Sequence, residues 1–341
     1  MNGTAALLEV EGLQVHYRSQ SRAQRRLGYG VRAVDGVSFS VGPGETLGLV
    51  GESGCGKSTT GRAILQLVEP TSGSIRFDGQ ELQGHNRRRQ RELRRGIQAV
   101  FQDPYDSLNP RMRIGDIVGE PMTVHHLASG AERERKVGDL LEQVGLSREV
   151  MARRPSELSG GQRQRVCIAR ALAVDPRFIV CDEAVSALDV SVQAQVLNLL
   201  RRLQRELHLS YLFIGHDLSV VRHVSDRVAV MYAGQLVETA DSEGLYTSPH
   251  HPYTVSLLRS SPVADPRVER NRPFIPAAGE PPSPTEVPTG CRFAGRCPLA
   301  RQQCRDEAPK LTEVEPGRSV ACHFWREVEA SPAELGTGDP A

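Results

Sequence analysis

Aromatic side chains are scarce in this chain, at 5% of 341 residues with a single tryptophan. Long apolar runs are missing too. No stretch approaches the roughly 18–20 apolar residues that cross a bilayer as a helix. If the protein serves a membrane process, other chains must span the membrane. An excess of charge of one sign is also lacking. The formal net charge is +1, so no global field points to nucleic acid or membrane lipid. The first residues, MNGTAALLEVEG, lack a basic n-region and a long apolar h-region, so no signal peptide is expected. What is present is ordinary for a soluble core: 39% hydrophobic residues, in a length that allows two domains or one large domain with an extension.

The seven cysteines are unevenly placed. Cys55, Cys167 and Cys181 are scattered, whereas Cys291, Cys297, Cys304 and Cys322 crowd the C-terminal segment. In a cytosolic protein such a cluster suggests metal before disulfides. Its intervals of five, six and seventeen residues fit neither a CxxC zinc ribbon nor a ferredoxin run. The segment shows few helix or strand signals, and a metal would supply the folding free energy that a small core lacks.

Short strands and helices alternate along most of the chain. Leu7–Tyr17 and Val37–Val41 read as strands, separated by a polar loop over Arg18–Arg32. Thr46–Val50 is an apolar run, followed by helical spacing over Lys57–Val68. Ser74–Phe77 and Gly96–Gln102 read as strands, and DPYDSLNP breaks regular structure. From Ile114 to Arg154 the pattern is helical, clearest over Ala131–Val144. Helices are expected at Arg163–Ala173 and Gln193–Leu207, and buried strands at Phe178–Cys181 and Tyr211–Ile214. Such alternation argues for a parallel, doubly wound α/β sheet. Prolines become dense after Pro249 (Pro273, Pro276, Pro281, Pro282, Pro284, Pro288), which places a boundary near 250–260.

GESGCGKS at Gly51–Ser58 fits the phosphate-binding loop GxxxxGK[ST]. Gly51, Gly54 and Gly56 let backbone N–H groups turn inward around phosphates, and the following helix adds its dipole. The loop residues Glu52, Ser53 and Cys55, with Thr59 after them, complete the expected nucleotide-binding set. Lys57 suits the β/γ-phosphates and Ser58 suits Mg²⁺. Phe178–Glu183 is an apolar strand delivering two carboxylates at its C-terminal end, where open α/β sheets bind ligands. There Asp182 would support Mg²⁺ and Glu183 would act as general base toward water.

LSGGQ at Leu158–Gln162 is the signature of the ATP-binding cassette (ABC) family, and with the phosphate loop it makes the chain resemble a cassette ATPase. The resemblance implies a RecA-like doubly wound core with an antiparallel β subdomain and a helical subdomain at about 103–160. It also implies further roles. His216, after Tyr211–Ile214, would contact the γ-phosphate. Gln102 would serve as the Q-loop glutamine at Mg²⁺ and water. Ser186–Asp189 would be the D-loop, with Asp189 at the dimer interface. Tyr17 would stack on adenine. Ser159, Gly160, Gly161 and Gln162 would act on ATP held by a partner chain.

VFQDPYDSLNPRMRIG at Val100–Gly115, CDEAVSALDVSVQAQ at Cys181–Gln195, His251-Pro252-Tyr253 and the cysteine-bearing tail narrow the resemblance. They look like the second ATPase of oligopeptide and dipeptide importers. That family implies residues 1–255 as the ATPase domain and 256–341 as an extension. It implies a homologous ATPase partner, two permeases, an extracytoplasmic binding protein, and a peripheral place on the cytoplasmic face of the membrane. Related systems carry nickel or glutathione. Members with this tail bind a [4Fe–4S] cluster, which the resemblance suggests here, with structural zinc as the alternative. His251-Pro252-Tyr253 itself reads as a turn with a packed tyrosine. A soluble cassette protein acting on ribosomes or DNA is disfavoured, because the chain has one cassette and no heptad run. A vestigial ATPase serving as a sensor is disfavoured by intact Lys57, Glu183 and His216.

Overall fold

A computed structural model describes residues 6–18, 30–85, 87–260, 282, 285 and 288–328. In chain order it begins with β1 (Leu8–Arg18), β2 (Gly30–Val41), β3 (Thr46–Val50), α1 (Lys57–Ile64), β4 (Ser72–Phe77), β5 (Gln80–Glu81), α2 (Arg87–Gly96) and β6 (Ile97–Val100). A helical stretch follows: α3 (Pro104–Ser107), α4 (Ile114–Val124), α5 (Gly130–Gln143) and α6 (Gly160–Leu172). Next come β7 (Phe178–Asp182), α7 (Val190–Leu207), β8 (Ser210–Gly215), α8 (Leu218–Val224), β9 (Arg227–Tyr232), β10 (Gln235–Asp241), α9 (Ser242–Thr247) and α10 (Pro252–Ser260). The C-terminal part adds α11 (Gln302–Asp306), β11 (Thr312–Glu315) and β12 (Arg318–Val320).

The strands form two sheets. One is antiparallel with the order β2-β1-β4-β5. The other has the order β11-β12-β10-β9-β3-β8-β7-β6, parallel from β9 to β6 and antiparallel beyond. Strands β3, β7 and β8 are buried along their whole length. That is why they read as unbroken apolar runs, since a parallel sheet is covered on both faces. Helix α7 packs Val196, Leu199, Leu200 and Leu203 inward. The α/β core, the antiparallel sheet and the helical region agree with the expected architecture.

Several elements differ from the expectation. The helix after the phosphate loop stops at Ile64, and Gln66 takes a left-handed φ of 56°. Strand β2 starts at Gly30, so strand replaces the last residues of the expected polar loop; residues 19–29 of that loop lie outside the described residues. Helix α2, rich in arginine, has almost no apolar periodicity to announce it, although arginine is a good helix former. The β9–β10 hairpin turns on Ala233 and Gly234, at φ 45° and 87°. Two positive φ values in a two-residue loop match the twist of a hairpin, and alanine at the first position hides the usual Asn-Gly signal.

The C-terminal segment is fused to the core sheet. Strand β12 pairs with β10 (Glu238↔Val320, Thr239↔Ser319), and β11 pairs with β12. Phe293 is buried against Tyr232 and Tyr253, with ring centroids 5.3 and 5.4 Å away. Pro273, Pro276, Pro281 and Pro284 lie outside the described residues.

Candidate nucleotide site

The phosphate loop joins the C-terminal end of β3 to α1. Gly51, Gly54 and Gly56 take φ values of 151°, 79° and 111°. A Cβ at Gly56 would lie 2.1 Å from the Ala33 carbonyl, so no other residue fits without moving the backbone. Lys57 is buried, and its Nζ donates to the carbonyls of Gly51 (2.7 Å) and Glu52 (2.9 Å). Ser53 is exposed, Cys55 buried and Thr59 half-buried. Burial pushes the Cys55 thiol up, which leaves it a small apolar packing group.

The two sequence-distant metal candidates meet. Ser58 Oγ donates to Asp182 Oδ1 at 2.8 Å. Burial raises the Asp182 carboxyl, against the pull of the Ser58 hydrogen bond and of Arg62. A hydroxyl and a carboxylate oxygen are the hard donors that fit Mg²⁺, which takes few protein ligands and completes its shell with phosphates and water.

Glu183 follows at φ 50°, a strained conformation for a residue with a side chain. Its N–H donates to the Ile214 carbonyl at 3.0 Å, tying it to the end of β8. Glu183 Oε1 lies 3.5 Å from His216 Nδ1. These two and Val185, Ser186, Gln193 and Asp217 are among the residues lining a pocket of about 120 Å³. Gln102 is exposed just beyond β6, whose Val100 pairs with Cys181 of β7. It therefore lies at the same sheet end as Asp182. Tyr17 pairs with Val31 and is 42% exposed, so an aromatic face is open on β1.

None of the signature residues is among those lining that pocket. Ser159 N-caps α6 in a capping box: its hydroxyl accepts from the Gln162 N–H (3.3 Å), and the Gln162 side chain accepts from the Ser159 N–H (3.0 Å). Gly160 is half-buried, and a Cβ on Gly161 would strike Val192 at 2.4 Å. Asp189 caps α7, accepting from the Val192 N–H at 2.9 Å, and is exposed.

Sequence reading missed a second set of contacts around the loop. Arg296 sends two N–H donors to the Glu52 carboxylate, at 2.8 and 2.9 Å. The Tyr253 hydroxyl accepts from the Glu52 N–H at 2.8 Å. Arg292 pairs with Asp35 and donates to the Ala233 carbonyl. Burial works against ionisation of Asp35, but Arg292 and His16 outweigh it and hold the carboxyl below its usual range. No periodicity or motif marks these arginines. The only available signal was His251-Pro252-Tyr253.

The cysteine cluster departs from the metal expectation. Cys291, Cys297, Cys304 and Cys322 line one small pocket with Phe293, Leu299 and other largely apolar neighbours. Among the described residues, however, no group of three or more His, Cys, Asp or Glu is arranged to hold a metal ion. The [4Fe–4S] expectation is overturned, and zinc has no group either. Burial pushes the Cys297 thiol to about 11 and the Cys322 thiol to about 12, so both are neutral near pH 7. The premise behind the metal also fails. The segment does not fold as an isolated small core, because it extends the main sheet and packs Phe293 into the main hydrophobic cluster.

The chain is similar to known proteins over most of its length. The ABC transporter family matches residues 34–186, and the oligopeptide/dipeptide transporter C-terminal region matches residues 237–304. YkfD of Bacillus subtilis (strain 168) is 51% identical over 324 residues, covering 95% of this chain and 97% of that protein. AppF of the same strain, an oligopeptide transport ATP-binding protein, is 50% identical over 321 residues, covering 94% of this chain and 97% of its own length. The ATP-binding cassette MJ0796, solved as a dimer in a post-hydrolysis state with ADP and Pi, matches with a TM-score of 0.61 at 27% identity. That match covers 69% of this chain and 98% of the cassette. With half its residues identical across nearly the full length of these relatives, the chain belongs to the ABC transporter family, as an ATPase of the oligopeptide/dipeptide transporter branch.

Proposed function

We propose that this chain hydrolyses ATP to power peptide import, as the peripheral ATPase of a transporter on the cytoplasmic face of the membrane. The observation that carries the chemistry is the Ser58–Asp182 contact with Glu183 and His216 alongside it. Lys57 and the loop N–H groups hold the β/γ-phosphates. Ser58, Asp182 and Gln102 are the residues that would hold Mg²⁺, which supplies charge neutralisation at the phosphates. Glu183 takes the proton of the attacking water, and His216 orients that water against the γ-phosphate. Tyr17 stacks on adenine.

Ser159, Gly160, Gly161 and Gln162 complete the site of a partner, with Asp189 at the interface between the two chains. The partner is a homologous ATPase. Among the described residues no helix is long and apolar enough to cross a membrane. Two permease chains therefore carry the passage, with the helical region 103–160 facing them and an extracytoplasmic binding protein delivering cargo. Residues 1–255 form the ATPase domain and 256–341 its extension. The peptide cargo rests on the likeness to AppF and on the matched C-terminal region. Deleting the gene and following uptake of labelled di- and oligopeptides tests it. Peptide uptake should fall; intact peptide uptake with lost nickel or glutathione uptake would move the cargo to those classes.

A further inference from the structure

Glu52 is held at three points, and each hold comes from a different direction. Its carbonyl accepts from Lys57 Nζ at 2.9 Å, its N–H donates to Tyr253 at 2.8 Å, and its carboxylate receives both ends of the Arg296 fork. The Arg296 side chain is only 7% exposed and Tyr253 is 1% exposed, so neither is a mobile surface group. Both sit on one aromatic cluster. The Tyr253 ring lies 4.5 Å from Tyr232 and 5.4 Å from Phe293, and the Arg296 guanidinium lies 5.8 Å from Tyr232 and Phe293. A planar fork on a carboxylate fixes direction as well as distance. The same segment reaches the rest of the site. Arg292 binds Asp35 on β2 and the tip of the β9–β10 hairpin, and Gly234 at that tip donates to the Cys55 carbonyl at 2.9 Å.

We infer that Arg296 and Tyr253 are positioning residues for the phosphate loop, through which the C-terminal segment sets the affinity of the site for ATP. Glu52 transmits the effect, because the residue gripped by the segment is also the one whose carbonyl meets Lys57. The inference rests on the ATPase reading above and deepens it. The extension thereby acts on the chain's own site.

The test titrates full-length chain with Mg²⁺ and the fluorescent N-methylanthraniloyl derivative of ATP. Arg296→Gln should weaken binding at least about fivefold and up to about 100-fold, the upper end set by what a hydrogen bond to a charged group is worth. Glu52→Gln should give a similar loss. The double variant should be no worse than the poorer single, because both remove one interaction. Arg296→Lys, which keeps the charge and loses the fork, should fall between. In steady-state hydrolysis with the partner ATPase, the loss should appear as a higher KM with kcat less changed. A general loss of folded enzyme would lower kcat alone, and that result would overturn the inference. So would binding within twofold of wild type in both single variants, or fully additive losses in the double. If Arg296→Gln does not fold, Glu52→Gln on the half-exposed loop decides the matter by itself. A wild-type chain that binds no MgATP would instead overturn the ATPase reading, and this inference with it.

Discussion

The phosphate loop and the cysteine-bearing segment meet at Glu52, yet they are built on opposite principles. The loop gathers polar and charged groups: three glycines at positive φ, a buried lysine on two carbonyls, and a hydroxyl on a carboxylate. The C-terminal segment lines a pocket with its thiols among largely apolar neighbours, and it presents Arg296 to the loop and Arg292 to Asp35 on β2. Both regions stand out in the sequence as clusters of one kind of residue. Only the first cluster is proposed as a site. In the loop the spacing is imposed by backbone geometry, with three glycines at positive φ, one of them packed against the Ala33 carbonyl. In the tail the cysteines line an apolar pocket beside Phe293, and their number answers to packing.

The sharpest way to separate the two regions is to silence each alone. Glu183→Gln keeps the shape of the side chain and removes the base. Turnover should fall by at least about 100-fold, while MgATP binding and thermal stability stay near wild type. Hydrolysis within tenfold of wild type would remove Glu183 from its assigned role. Phe293→Ala should act first on stability. It deletes a buried ring from the cluster with Tyr232 and Tyr253, at a cost of about 3–5 kcal/mol. Denaturant titration reads this directly. A loss below about 1 kcal/mol would mean that the segment does not depend on the shared core.

A pH titration breaks the comparison at a finer level. His251 is fully buried, and burial pushes its imidazole down to about 3. Its Nδ1 accepts from the Tyr253 N–H at 3.0 Å, which requires the neutral ring. The unfolded chain binds the proton below about pH 6.5, whereas the folded one does not until about pH 3. The stabilisation is therefore complete above about pH 6.5 and is lost as pH falls, by about 1.4 kcal/mol per unit. Glu238 beside it opposes this. Its carboxyl accepts from the His250 and His251 N–H groups, but burial raises it, so lowering the pH favours the folded state there. Comparing His251→Gln with wild type isolates the histidine. The stability gap between them should narrow from pH 7 to pH 4, and a constant gap would refute the assignment.

Much of the fold was legible because it rests on long-range burial. Thr46–Val50, Phe178–Cys181 and Tyr211–Ile214 are central parallel strands, and nothing but apolar runs can occupy such positions. The phosphate loop was legible because Gly56 has no alternative beside the Ala33 carbonyl. What escaped was of two kinds. Helix α2 and the β9–β10 hairpin lack the periodicity or the turn residues that announce such elements, since packing and sheet pairing hold them instead. The grip of Arg296 and Tyr253 on Glu52 joins residues far apart in the chain, and a single arginine carries no spacing to read. The metal expectation failed for a related reason. It treated the tail as needing its own core, when β12 and Phe293 borrow that of the main sheet.

A smaller stability loss than that of Phe293→Ala is expected at Ser159, and it contrasts the signature with the phosphate loop. On its own chain this serine does one local thing: it caps α6 and exchanges hydrogen bonds with Gln162. Ser159→Ala should therefore cost only about 1 kcal/mol, the usual price of an N-cap. It should leave the isolated chain's affinity for MgATP unchanged, because the groups proposed to hold nucleotide in that chain are Tyr17, the phosphate loop, Gln102 and Asp182, not the signature. Hydrolysis by the assembled pair should nevertheless fall, since the serine is exposed and free to meet a phosphate held by the partner. Weakened ATP binding in the isolated chain would place Ser159 in its own site instead. Unchanged hydrolysis by the pair would reduce it to a helix cap.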